Sequence, residues 1–228
     1  MKAQKNALLL LLSLLALAPA QAQDDRQPRM TLDAMDFLRW RDQMDKSGEP
    51  IEGSPFLNGD FVRGQIYYQD QKTKEGLFRY NILHDEIEYV QNERVMVLTY
   101  MPPIDRVVVG ADTMIFRAGT GTAIMPPGFF RLGKGGSTRL LVKMEVEFKD
   151  KVPPKAMQDP VPARYVRKND RYFVELASGE LRPFNNLKTL ISHLDDQQAA
   201  LTAFAKTEKL AAKAPEDWVR LLRYYDSL

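Results

Sequence analysis

From Phe61 to about Phe184 the chain alternates apolar and polar side chains in short runs broken by turn residues, the period-two signature of half-buried strands. Val62, Gly64, Ile66 and Tyr68 alternate with Arg63, Gln65 and Tyr67; after a polar turn from Asp70 to Gly76, Phe78, Tyr80 and Ile82 alternate with Arg79 and Asn81. His84-Asp85 predicts a tight turn into Ile87 and Tyr89, and Asn92-Glu93-Arg94 turns the chain into Val95–Tyr100. Val107–Val109 and Thr113–Arg117 flank Gly110-Ala111-Asp112, and Phe129–Leu132 leads through Gly133–Ser137 into the most regular run, Thr138–Lys149. In that run Leu140, Val142, Met144, Val146 and Phe148 share one face, which predicts an antiparallel sheet with one wet side. Residues 150–162 carry Pro153, Pro154, Pro160 and Pro162 and read as an extended connection, followed by strands at Arg164–Arg167 and Arg171–Leu176.

The period changes at Asn185. Leu187, Leu190, Ile191 and Leu194 fall on one helical face behind an Asn186 cap. Asp195 or Asp196 is the expected cap of a second helix bearing Ala200, Leu201, Phe204 and Ala205. Pro215, Glu216 and Asp217 open a third, which presents Trp218, Leu221, Leu222 and Tyr225. A further short helix is expected from Leu32 to about Asp45. Strands followed by a block of helices define an α+β fold, mainly an antiparallel sheet arranged as a sandwich or a partly closed barrel. The expected organisation is a signal peptide over 1–22, a polar segment with a short helix over 23–50, a β domain over 51–184, and helices over 185–228 packed on the sheet.

Composition changes the picture at the N-terminus. Lys2 and Lys5 precede an apolar run from Ala7 to Ala18 and the small-residue patterns Ala18-Pro19-Ala20 and Ala20-Gln21-Ala22, the layout of a secretory signal peptide cleaved before Gln23. The run is short of the roughly 20 apolar residues that a spanning helix needs. Cleavage removes two lysines and no acid, so 30 basic residues face 30 acidic ones, and no bulk field draws the mature chain to nucleic acid. The chain has no cysteine, which excludes a disulfide scaffold, a thiolate metal site, a cysteine nucleophile and a lipoprotein anchor, and its two histidines exclude a histidine-rich metal centre. An exported, cysteine-free chain fits a bacterial envelope, in the periplasm or at the outer membrane.

Candidate chemistry is sparse. Gly128–Lys134 has the spacing of a phosphate loop, but Gly135 stands where a magnesium-binding hydroxyl belongs and a strand follows, so the segment reads as a glycine-rich hairpin. Glu86 and Glu88, roughly 7 Å apart along one strand face and next to Asp85, have the separation of a glycoside-hydrolase pair. Any two residues so placed on a wet strand face share it. His84 beside Asp85 could orient a base for Ser54, but a solvated turn histidine is the simpler reading, and His193 lies at the flank of its helix. Arg164, Arg167, Lys168 and Arg171 interleave with Tyr165 and Tyr172 as a solvated strand face, and Tyr67, Tyr68, Phe78, Tyr80, Tyr89, Phe129 and Phe130 are expected to pack between strands. No catalytic, cofactor-binding or metal residue is assigned.

Gly53-Ser54-Pro55-Phe56-Leu57-Asn58, Arg79-Tyr80-Asn81-Ile82 with Asp85-Glu86, Pro162-Ala163-Arg164-Tyr165 and the terminal Tyr224-Tyr225 resemble segments of a family of exported Bacteroidota proteins. The resemblance covers roughly residues 52–228 and implies a β-rich region with a C-terminal helical tail, but no activity. The leading expectation is therefore a non-enzymatic envelope module that binds another envelope protein through a sheet edge or the C-terminal helices. A carrier of an apolar ligand and, behind it, a carboxylate hydrolase built on Asp85, Glu86 and Glu88 are the alternatives.

Overall fold

The computed structural model describes residues 44, 48–98, 104–118, 127–154 and 159–228. The expected signal peptide and the Leu32–Asp45 helix lie outside these residues except at Met44, which forms a bridge to Pro50. Ten strands build one sheet: β1 (Val62–Tyr68), β2 (Gln71–Asn81), β3 (Glu86–Gln91), β4 (Arg94–Val97), β5 (Ile104–Val109), β6 (Asp112–Arg117), β7 (Gly128–Lys134), β8 (Arg139–Lys143), β11 (Arg171–Glu175) and β12 (Leu181–Phe184). β9 (Val146–Lys149) and β10 (Arg164–Arg167) pair separately as a ribbon. The order in the large sheet is β12-β11-β8-β7-β6-β5-β1-β2-β3-β4, antiparallel throughout, and the sheet does not close into a barrel.

Turn chemistry explains the registers. Gln69 and Asp70 both take positive φ (47° and 57°), as do Asn92 and Glu93 (50° and 59°). That is the backbone of the tight hairpin turns whose twist matches the strands. The first of these pairs shifts an expected boundary. Two residues suffice for the turn, so the polar stretch from Gln71 becomes the exposed start of β2 instead of a loop. Gly64 lies on β1 opposite Gly76 on β2, and the Phe78 ring lies over both. A Cβ at Gly64 would come within 2.8 Å of that ring and 2.3 Å of the Val108 carbonyl, so only glycine fits.

The longest predicted strand is not one strand. Thr138–Lys149 breaks at Met144-Glu145, where β8 ends beside β11 and the chain leaves the large sheet to form β9. The alternation survives the break, which is why sequence periodicity missed it, but Phe148 ends up 37% exposed rather than on the buried face. The proline-rich 150–162 segment also carries more order than an extended connection, since Val152 and Val161 exchange both backbone hydrogen bonds (2.8 and 3.0 Å). Pro183 sits within β12, an end strand of the sheet, where a missing N–H need not cost a ladder bond.

Two apolar clusters share one face of the sheet. Ile66, Phe78, Tyr80, Ile87, Val107, Met114, Phe129 and Val142 fill the first. The Tyr80 and Phe129 rings meet edge to face at 6.3 Å although three strands separate β2 from β7, so the sheet coils strongly around this cluster. The second cluster joins Leu140, Val174 and Phe184 to the helices α1 (Leu187–Ser192), α2 (Gln198–Thr207) and α3 (Pro215–Tyr225). Asn186 caps α1 by accepting from the Thr189 N–H at 2.9 Å, and Pro215 begins α3, both as expected. Neither Asp195 nor Asp196 caps α2. Gln197 holds that position without a side-chain bond, because Asp195 accepts from Arg182 and Asp196 from the Tyr225 hydroxyl.

Trp218 keys the helices to the sheet. It meets Tyr172 at 4.8 Å and Phe184 at 5.1 Å, both edge to face, and donates its indole N–H to the Ala212 carbonyl. Trp218→Ala should lower the unfolding free energy by about 3–5 kcal/mol in a urea titration, the cost of emptying a buried aromatic site. A loss below about 1 kcal/mol would mean that the helices do not depend on this anchor.

Candidate functional site

The residues with chemical potential fall into four ion-pair constellations, three of which tie distant parts of the chain together. Asp85, at positive φ (57°) in the turn between β2 and β3, accepts from the Tyr80 hydroxyl (2.5 Å), the Lys143 ammonium (2.6 Å) and the Phe129 N–H (3.2 Å). Lys143 also donates to the Phe129 carbonyl at 3.1 Å. Gly128 is obligatory here, because a Cβ would sit 1.8 Å from the Asp85 carboxylate. Burial first, then the Asp85 charge and hydrogen bond, push the Tyr80 hydroxyl far above its ordinary value of 10.0, so it stays a donor.

Arg79 and Glu88 are cross-strand partners on β2 and β3, both buried. Arg79 Nε and Nη2 each lie 2.7 Å from Glu88 Oε2, and the Asn81 amide donates to Glu88 Oε1 at 3.1 Å. The Arg79 guanidinium lies over the Phe56 and Phe61 rings, at 3.7 and 4.3 Å from their centroids. Glu88 is thus not the solvent-facing strand residue that alternation suggested. On the same sheet face, away from the first apolar cluster, Arg117 reaches from β6 to Glu175 on β11 with two bonds (2.5 and 2.9 Å), and Arg139 joins at 3.3 Å. This clasp lies on the same strand faces as the buried Ile115, Phe130, Leu141 and Phe173.

Asp226, just past α3, holds the β7–β8 turn. It binds the Lys134 ammonium, the Ser137 hydroxyl (2.9 Å) and the Thr138 N–H (3.2 Å). Lys134, the lysine of the apparent phosphate loop, also donates to the Thr138 carbonyl. The loop is a β-hairpin, and its lysine already has a carboxylate.

The other expected residues stay apart or act locally. Ser54 accepts from the Phe56 N–H two residues on, His84 is exposed, and both Asp85 oxygens face away into their own network, so no Ser54–His84–Asp85 relay assembles. The His193 ring meets the Pro183 carbonyl at 3.0 Å. Arg167 pairs with Asp170, Lys168 with Glu147 and Arg171 with Glu145. Tyr165 packs on Phe148 and Tyr172 on Trp218, so neither tyrosine is a free stacking platform. Phe78, Tyr80, Phe129 and Phe130 are buried as expected, whereas Tyr67 and Tyr89 are half-buried under Arg106 and Lys74. Among the described residues no three His, Asp or Glu side chains converge to hold a metal, and no helix is long and apolar enough to cross a membrane.

A cleft of about 860 Å³ opens between β11, β12 and the helices, lined by Tyr172, Phe184, Trp218, Asp170, Arg171 and Lys213. Its rings are engaged with one another, and its rim brings no acid–base pair together. The remaining feature is apolar exposure. Large exposed apolar side chains among the described residues are Met96 and Val97 on β4, Phe148 and Val152 on or beside β9, and the terminal Leu228. Met96 and Val97 lie on the last strand of the large sheet and Phe148 on the ribbon strand with an open side, with Val152 three residues beyond that strand. The molecule is an open antiparallel sheet in which Asp85, Glu88, Glu175 and Asp226 are held in ion pairs and the internal exposed large apolar side chains of the described residues lie on or beside strands with an open side. The chain matches no protein-family model, and neither a curated protein nor a solved structure shows significant similarity to it.

Glu88→Gln should cost about 3–5 kcal/mol of stability by chemical denaturation, because it leaves a buried guanidinium without its counter-charge. An unchanged midpoint would refute the structural role of the pair. Burial alone would raise the Asp226 carboxyl, but the Lys134, Ser137 and Thr138 hydrogen bonds and the Lys134 charge together hold it below its ordinary 3.8. A carboxyl depressed in the folded state stabilises above its unfolded pKa and loses that contribution as pH falls through the folded value. Thermal midpoints recorded from pH 5 down to about pH 2 should therefore fall less steeply in Asp226→Asn than in the parent chain; parallel curves would exclude the coupling.

Proposed function

We propose that the protein is exported to the bacterial envelope and acts there as a non-enzymatic module that holds another envelope protein at a strand edge. The observation that carries this reading is the placement of Met96, Val97 and Phe148, exposed large apolar residues on strands with no second neighbour among the described residues, with the exposed Val152 just beyond β9. Natural sheets normally protect such edges, and adding a partner strand satisfies both the backbone groups and the apolar side chains. The export pattern at residues 1–22 supplies the compartment.

The C-terminal helices are the weaker docking element, since Trp218, Leu221 and Leu222 are buried against the sheet and give α3 no uncovered apolar stripe. The carrier reading draws little support from an open sheet whose coiled face is filled by side chains of 0–7% exposure. The hydrolase reading needs two carboxylates free to exchange protons, and Asp85 and Glu88 are each committed to a cation.

Tagged mature protein, cross-linked and purified from its native envelope fraction, should bring down one protein in near-stoichiometric amount. Recovery of the protein alone at native abundance, or with a lipid in place of a protein, overturns the proposal.

A further inference from the structure

Resting on the interaction reading above, we infer that β9 is a docking edge and that its partner is an extended protein segment in which apolar and acidic residues alternate. The ribbon register places Lys149 directly opposite Arg164 and Phe148 directly opposite Tyr165. Cross-strand partners share a face, so the two cations lie together on one face and the two rings, 5.3 Å apart, on the other. Like charges directly opposite each other repel. Glu52, the bridge partner of Arg164 on the far side of β10, lies beside Arg164 alone, and among the described residues neither Lys149 nor Arg164 has an ion pair or a side-chain hydrogen bond. An acid on a third strand beside β9 would relieve that repulsion.

The backbone points to the same side. The outer edge of β10 is occupied, since the Glu52 N–H donates to the Ala163 carbonyl (2.9 Å) and the Tyr165 N–H to the Glu52 carbonyl (2.8 Å). Those bonds, with that from the Lys168 N–H to the Glu145 carbonyl (2.9 Å), fix which residues pair inward. The alternation of an antiparallel ladder then turns the N–H and C=O of Phe148 outward, where no described strand lies. Every residue from Glu147 to Val152 is exposed. A strand added here would set an apolar side chain beside Phe148 and an acid beside Lys149; the regular alternation ends before Val152, whose N–H and C=O both bond Val161. Lys151, already paired with Glu49, would add attraction without deciding register.

Two competing assignments fit less well. An anionic lipid surface would have to meet cations and aromatic rings at once, yet these occupy opposite faces of the ribbon; a strand in the ribbon plane touches both. The β4 edge exposes Met96 and Val97 but displays no comparable unpaired cross-strand charges, so it specifies no partner chemistry.

The test uses the mature chain and two fluorescent peptides built around VESEV and VKSKV, read by anisotropy. The acidic peptide should bind and weaken with salt, and the basic one should not. Lys149→Glu combined with Arg164→Glu, both at exposed positions, should weaken VESEV by about tenfold or more and gain VKSKV. Phe148→Pro removes an N–H that the ribbon itself does not use and should abolish binding of either peptide while the thermal transition remains cooperative. Equal binding of both peptides, binding of neither, or capture instead by phosphatidylglycerol vesicles overturns the assignment. If the native envelope partner still co-purifies with Phe148→Pro, β9 is not the edge although the interaction reading stands. If no partner co-purifies with the parent chain, that broader reading fails on its own.

Discussion

One carboxylate fastens the coil of the sheet. Asp85 lies in the turn between β2 and β3, and its oxygens take a hydroxyl from β2, an ammonium from β8 and an N–H from β7. Three strands separate β2 from β7 in the sheet, so these contacts exist only if the sheet bends back over its own core. The bend in turn is what lets Tyr80, Phe129 and Val142 bury one another in a sheet that never closes. Much else is subordinate to this point: the left-handed backbone at Asp85, the absence of a side chain at Gly128, and a Tyr80 hydroxyl held protonated in the interior. An open sheet lacks the closure that gives a barrel its curvature, and polar clamps supply it here.

The same logic governs the other buried charges. Arg79–Glu88 sits across one hairpin, Arg117–Glu175 spans nonadjacent strands, and Lys134–Asp226 fixes the last helix to the β7–β8 turn. Buried pairs of this kind contribute little net stability compared with apolar packing, but they penalise every alternative register that would separate them. In a mainly antiparallel protein, where slipping one residue exchanges the two faces, that penalty is useful. Asp85, Glu88, Glu175 and Asp226 are each held against a cation in this way.

How much of this was legible depended on whether the signal was local. The strands around Val62–Tyr68 and Glu86–Gln91, the Asn186 cap and the Pro215 helix start were readable because alternation, a capping side chain and a proline act within a few residues. The break at Met144-Glu145 was not readable, because the side chains keep alternating while the partner strand changes from β11 to β10, and partner identity is a tertiary property. Glu88 was misjudged for a related reason. Alternation says which residues share a face; it does not say whether another layer, here Phe56 and Phe61 with Arg79, covers that face. The sequence placed the tight turn at His84-Asp85, which would set Asn81 opposite Glu88; the turn in fact spans residues 82–85, and this longer turn is what sets Arg79 opposite Glu88. Lys134–Asp226 was not readable either, since 92 residues separate its members.

The ribbon is where these principles are relaxed. A two-stranded sheet is marginal by itself, and this one is attached to the body through Glu52 and through the turn of the chain at Met144-Glu145. Elsewhere in the fold, buried cations are matched to acids with short contacts. On the ribbon, two cations face each other without an ion pair, an aromatic ring is exposed, and no proline or bulge blunts the open side between Val146 and Lys149. Folding alone would not select that arrangement, since replacing either cation by an acid would turn a repulsion into a pair. The proposed docking edge is therefore a strand that leaves the main sheet and pairs on one side only among the described residues.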